Sequence, residues 1–265
     1  MHCGKKRDNR PYGRLGSVDR IRFHCHAGLA CFTTCCRDVN IFLSPYDILR
    51  IKKRLGISST EFLQQHTVSL IPEASGFPVI LLKMRENRNR ACPFVVPVGC
   101  SIYEDRPWAC RMFPLDLGDR PGSYRFIADP SLCLGTREEK GLTVQSYLEE
   151  QDMAPYDEGE RLLGRIASDG RFSKAAIRDP KLQEMCRMAL YDLDMFRRFV
   201  LESRFLQIFE VDKERAQRIA TDDLDLLKLA HQWLEFGLVA GETLKMREDV
   251  LKDAELKGRG ASGCR

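Results

Sequence analysis

CHAGLACFTTCC, residues 25–36, and CPFVVPVGCSIYEDRPWACRMFP, residues 92–114, hold seven of the chain's eleven cysteines. Cys133 follows in DPSLCLG, Cys3 precedes the cluster, and Cys186 and Cys264 lie far beyond it. Disulfides are rare in a reducing cytosol, so cysteines packed this closely point there to metal or redox chemistry, whereas outside the cell they would point to a disulfide framework. Thiolates bind zinc tetrahedrally or iron in clusters, and close spacing lets one loop supply several ligands at little extra loop-closure entropy. The competing reading, cysteine as a small buried hydrophobe, fits a lone residue better than four within a dozen.

The spacing carries more detail. Neighbouring side chains diverge, so Cys35 and Cys36 either face two different sites, or one ligates while the other packs; a disulfide between them would be strained and reducible. Pro and Gly between Cys92 and Cys100 suit a turn that brings two thiolates together. One helical turn over residues 102–105, before Arg106-Pro107, would redirect Cys110 toward the same centre, and Cys133 could complete it. The candidate ligands are therefore Cys25, Cys31, Cys35, Cys36, Cys92, Cys100, Cys110 and Cys133, enough for two four-thiolate sites or for one site with bystanders. A metal held by four thiolates is net negative. Arg106 and Arg111 beside Cys110 could offset that charge, or simply pair with Glu104 and Asp105. His24 and His26 bracket Cys25 as alternative ligands.

These motifs resemble the YkgJ family of cysteine-cluster proteins, also described as CxxCxxCC zinc- or iron-chelating domains. The resemblance rests on Cys92-Pro93-Phe94, Cys100-Ser101-Ile102-Tyr103, Arg106-Pro107, Cys110-Arg111 and Phe113-Pro114, with Pro45, Asp47-Ile48 and LGISSTEF in the helical segment between the motifs. One departure stands out: the gaps before Cys31 and Cys35 are five and three residues, where the family typically has two and two. The resemblance implies metal chelation, by zinc or an iron–sulfur cluster. Some related proteins are described as flagellin lysine N-methylases, so a redox or lysine-methylating enzyme is one alternative, and a metal-stabilised protein-interaction module is another.

Outward from the motifs, the sequence predicts an α+β chain: a cysteine-rich domain of short helices and strands over residues 21–135, then a mainly helical region over 140–257. Ser44 with Pro45 opens a helix that Gly56 ends, and Ser59 caps a second. FPVILLK, residues 77–83, and the weaker run 124–128 read as strands. Asp179-Pro180 starts one long helix whose stripe is Leu182, Met185, Ala189, Leu193, Phe196 and Val200. A second stripe, Leu224, Leu227, His231, Leu234 and Leu238, gives a helix ending near residues 237–241, with His231 as a core histidine. A charged terminal helix is expected over 242–257.

With 43% hydrophobic and 30% charged residues, the composition is that of a globular protein, and a net charge of +4 gives no case for nucleic acid. The polar, basic N-terminus lacks the apolar run of a signal peptide, and no stretch reaches the roughly 18 apolar residues of a spanning helix. The expected setting is the cytoplasm, with a metal ion or cluster as the partner, a protein partner left open, and no membrane. No GxGxxG loop follows a strand, and no CxxxCxxC run or Ser-His-Asp set is present.

Overall fold

Ser44 opens the first helix, Pro45–Leu55, through a capping box: Asp47 N donates to Ser44 Oγ (3.1 Å) and Ser44 N donates to the Asp47 carboxylate (2.8 Å). Gly56 ends it in the left-handed region at φ 69°, where glycine has no Cβ to clash. The next helix, Ser59–His66, is capped by Ser58 rather than by Ser59. The Ser59 hydroxyl instead reaches a distant segment, where Oγ lies 2.8 Å from Asp192 Oδ1 and accepts the Asp194 N–H, also at 2.8 Å.

The computed structural model describes residues 12–73, 75–86, 89–167, 179–239, 243–250 and 252. The fold is α+β, with small antiparallel sheets, short helices and a helical C-terminal region. It divides into two units, each combining two stretches of chain: residues 1–43 with 81–158, and residues 44–80 with 159–265.

The second unit is helical. Instead of one long helix from Pro180, two form, Pro180–Tyr191 and Leu193–Glu202. Asp192 separates them: its backbone leaves the helical region (φ −104°, ψ 69°), and its carboxylate accepts from Met195 N (3.3 Å) and Thr60 Oγ1 (2.8 Å). The apolar stripe still marks core, since Ala189, Leu193, Phe196 and Val200 are buried. Asp223–Val239 forms the last long helix. Leu227, His231 and Leu234 face inward, Leu224 at its first turn is exposed, and His231 Nδ1 lies 2.8 Å from Leu227 O. Trp233 packs among Phe196, Phe199 and Phe205, with ring centroids 5.2–5.9 Å apart. Of the expected terminal helix, residues 248–250 and 252 are helical, while Met246 before them bridges antiparallel to Phe209; residues 242, 251 and 253–257 lie outside the described residues.

The first unit is built from short pieces. Arg20–Arg22 pairs antiparallel with Gly141–Thr143, and Leu115–Leu117 with Tyr124–Phe126. Their inward side chains Ile21, Leu115 and Phe126 join Phe23, Met112, Val144, Tyr147 and Met153 in one core. The strand expected over 77–83 contracts to Val79–Leu82, across which the division between units falls. Among the described residues, no helix is long and apolar enough to cross a membrane.

Candidate metal centre

All eight candidate cysteines are free thiols in the first unit. Cys25 and Cys35 are exposed and the other six half-buried, unlike Cys186, which is sealed inside a helix of the second unit. Burial alone pushes the Cys186 thiol up to about 12, as expected of an inert core residue.

From Cys25 the chain winds through successive turns, with Leu29 N donating to His26 O (3.1 Å) and Phe32 N to Leu29 O (2.9 Å). The turn Thr34–Cys36 follows, entered through Thr33 at φ 63°. These turns take up the longer gap between Cys25 and Cys31. Two backbone pairings then tie this loop to distant segments. On one side, His24 N donates to Gly135 O (2.9 Å), and Leu134 N donates to the Cys31 sulfur (3.2 Å). The approach requires glycine, because a Cβ on Gly135 would stand 2.9 Å from His24 O. On the other side, Cys92 N donates to Cys36 O (2.8 Å), Asp38 N donates to Arg90 O (2.9 Å), and Arg37 bridges Ala91 antiparallel. This register sets Cys36 directly opposite Cys92, so their side chains lie on one face. The hairpin Val95–Val96 with Gly99–Cys100 returns Cys100 opposite Val95. The turn Tyr103–Asp105 and the helix Trp108–Met112 then place Cys110.

The electrostatics follow this geometry. Burial pushes Cys25 up to about 11, and the nearby thiols Cys35, Cys133 and Cys31 add to the rise. Burial also raises Cys133, with Cys31 and Cys35 contributing. The Cys36 thiol hydrogen-bonds the Cys35 sulfur, which holds Cys35 down at about 7 and Cys36 high; burial and the thiols of Cys110 and Cys92 raise Cys36 further. Cys92 and Cys100 are raised by burial. Crowded thiolates repel one another, so a bound cation that displaces their protons relieves the crowding. Amide N–H groups lie close to these sulfurs and favour their anions: Leu134 N donates to Cys31 Sγ (3.2 Å), and the amides of Phe94, Ile102 and Gly135 act on Cys92, Cys100 and Cys133. Such N–H···S bonds stabilise sulfur in its anionic, ligating form.

Sequence reasoning gave Arg106 and Arg111 one shared role, and the structure separates them. Arg106 lowers the Cys100 thiol by its charge, and it donates to Tyr103 O and to Gln151 Oε1 (2.5 Å). Arg111 braces the loop instead, donating to Arg106 O, to Gln151 O and, at very short range, to Glu104 O, with its guanidinium 4.4 Å from the Tyr156 ring centroid. Arg85, missed in the sequence, bears on Cys92 by its charge while donating to Pro93 O (2.7 Å). No local signal marked it.

Glu138 was also missed. It joins His24 and His26 in a group whose ligand atoms lie within 4.8 Å of one another, the tightest such trio among the described residues. His26 Nε2 lies 3.5 Å from Glu138 Oε2 while Nδ1 accepts the Gly28 N–H (3.2 Å), so both of its ring nitrogens already face partners. The histidines thus turn toward Glu138, beside the thiol cluster.

Comparison with curated proteins and with solved structures gave no match. A family model does match, over residues 24–134, and its description is "CxxCxxCC: Putative zinc- or iron-chelating domain". That interval runs from the residue before Cys25 to the residue after Cys133 and so encloses all eight free thiols among the described residues of the first unit. Residues 24–134 of the chain are thus similar to the CxxCxxCC zinc- or iron-chelating domains, and the match takes in the whole cysteine cluster.

Proposed function

We propose that the thiolates of Cys25, Cys31, Cys35, Cys36, Cys92, Cys100, Cys110 and Cys133 are the metal ligands of this chain. They form a chelating region over residues 21–135, followed by a helical region over 140–257, in a protein of the reducing cytoplasm. The observation that carries the reading is the gathering of these thiols by the pairings of Cys36 with Cys92 and of His24 with Gly135, with an amide N–H donated to the Cys31 sulfur. A purely structural set of small hydrophobes has no use for such a donor.

The test is purification without oxygen, followed by metal and acid-labile sulfide analysis. The expected result is a stoichiometric metal, either zinc, or iron with matching sulfide and a brown colour. A folded chain that carries neither metal overturns the reading.

A further inference from the structure

We propose that the eight thiols form two four-thiol centres, Cys25, Cys31, Cys35 and Cys133 in one and Cys36, Cys92, Cys100 and Cys110 in the other, with the vicinal pair giving one sulfur to each. This rests on the reading that the thiolates bind metal, and it adds how many centres there are and which sulfur belongs to which.

The backbone pairings already separate the sets. Cys25 and Cys133 are held together by the His24 N to Gly135 O bond, and Leu134 N reaches the Cys31 sulfur in the same place. Cys36 belongs to the other pairing, opposite Cys92 in the antiparallel run of residues 36–38 against 90–92. The hairpin that follows returns Cys100 toward Cys92.

Capacity leads to the same division. A zinc ion or a cubane cluster takes four protein thiolates, so eight converging sulfurs exceed what one centre accepts. The two centres are then joined through a single peptide, whose Cα atoms are about 3.8 Å apart.

The experiment is native mass spectrometry of the full chain, purified without oxygen, which resolves each ion or cluster as a discrete mass step. The wild type is expected to carry two steps. Cys133→Ser and Cys35→Ser are expected to lose the first centre and keep one step, as are Cys100→Ser and Cys36→Ser for the second, while Cys133→Ser with Cys100→Ser carries none. A wild type with one step overturns the division but leaves thiolate binding intact, and this count stands even if a variant fails to fold. A folded single variant that loses both steps likewise overturns the division. A wild type with no step overturns the underlying reading as well.

Discussion

Stripping the metal from the protein is expected to release residues 25–36, 92–110 and 129–136 into fast amide exchange, while the helices Pro180–Tyr191, Leu193–Glu202 and Asp223–Val239 keep their protection. No residue of 25–36 is buried, so that loop has little else to hold it, whereas Phe94, Val95 and Ile102 anchor parts of 92–110 and make its release the slower of the two. Neither the turn Thr34–Cys36 nor the turn Tyr103–Asp105 contains a buried residue, and the thiols that crowd there repel one another once ionised. Structural metal sites contribute free energy on the order of 10 kcal/mol at neutral pH, which is folding energy for the segments that supply the ligands. The second unit draws on apolar burial instead: Phe196, Val200, Leu226 and Leu234 are fully enclosed, and such regions open last. Hydrogen exchange of the chelated and as-purified forms makes the comparison. Equal protection of the cysteine loops in both would contradict the account.

Replacing Lys52 with Met is expected to remove about 3 kcal/mol of stability from the second unit. Lys52 is only 6% exposed, and its ammonium stands 3.0 Å from Asp194 and 2.9 Å from Asp223. Arg197 closes the set, bonding Asp194 at 2.9 Å and Asp223 at shorter range. Removing one partner from a buried ion pair leaves the other charge in a poor solvent, which typically costs more than the pair itself contributes. The acid limb of stability follows from the same group. Burial alone would raise Asp194, but hydrogen bonds from Ser59 N and Lys52, with the Lys52 charge, more than reverse it and hold the carboxyl below 3.8. The unfolded carboxyl therefore takes up its proton first. The stabilisation is full above pH 3.8 and is lost as pH falls toward the folded value. Denaturant titrations at pH 7 and pH 3 should show a lower midpoint for Lys52→Met at pH 7 and a smaller drop on acidification. An unchanged midpoint at pH 7 would mean the ion pair contributes nothing.

What could be read from the sequence was local. The Ser44 capping box and the Gly56 stop involve residues three or four apart, so their chemistry is visible in the string. Periodicity also marked Phe196 and Val200 as core, because a 3.6-residue repeat survives a change of helix axis. The break at Asp192 was invisible. It depends on Ser59 and Thr60, more than a hundred residues away, and that tertiary network overrides a pattern that reads as one helix. The candidate site divides in the same way. Thiol chemistry identified the eight cysteines, but which sulfur meets which is set by pairings between residues 36–38 and 90–92 and between His24 and Gly135. Arg85 and Glu138 reach the site through the folded chain alone, so nothing adjacent to them in sequence announced it.

At the centre of the account is sulfur as the donor atom. X-ray absorption at the metal edge of the anaerobically purified protein measures that donor directly. The account predicts a first shell of sulfur alone at about 2.3 Å, four sulfurs to each metal. A first shell dominated by nitrogen or oxygen would contradict it and would move the metal to the neighbouring group of His24, His26 and Glu138.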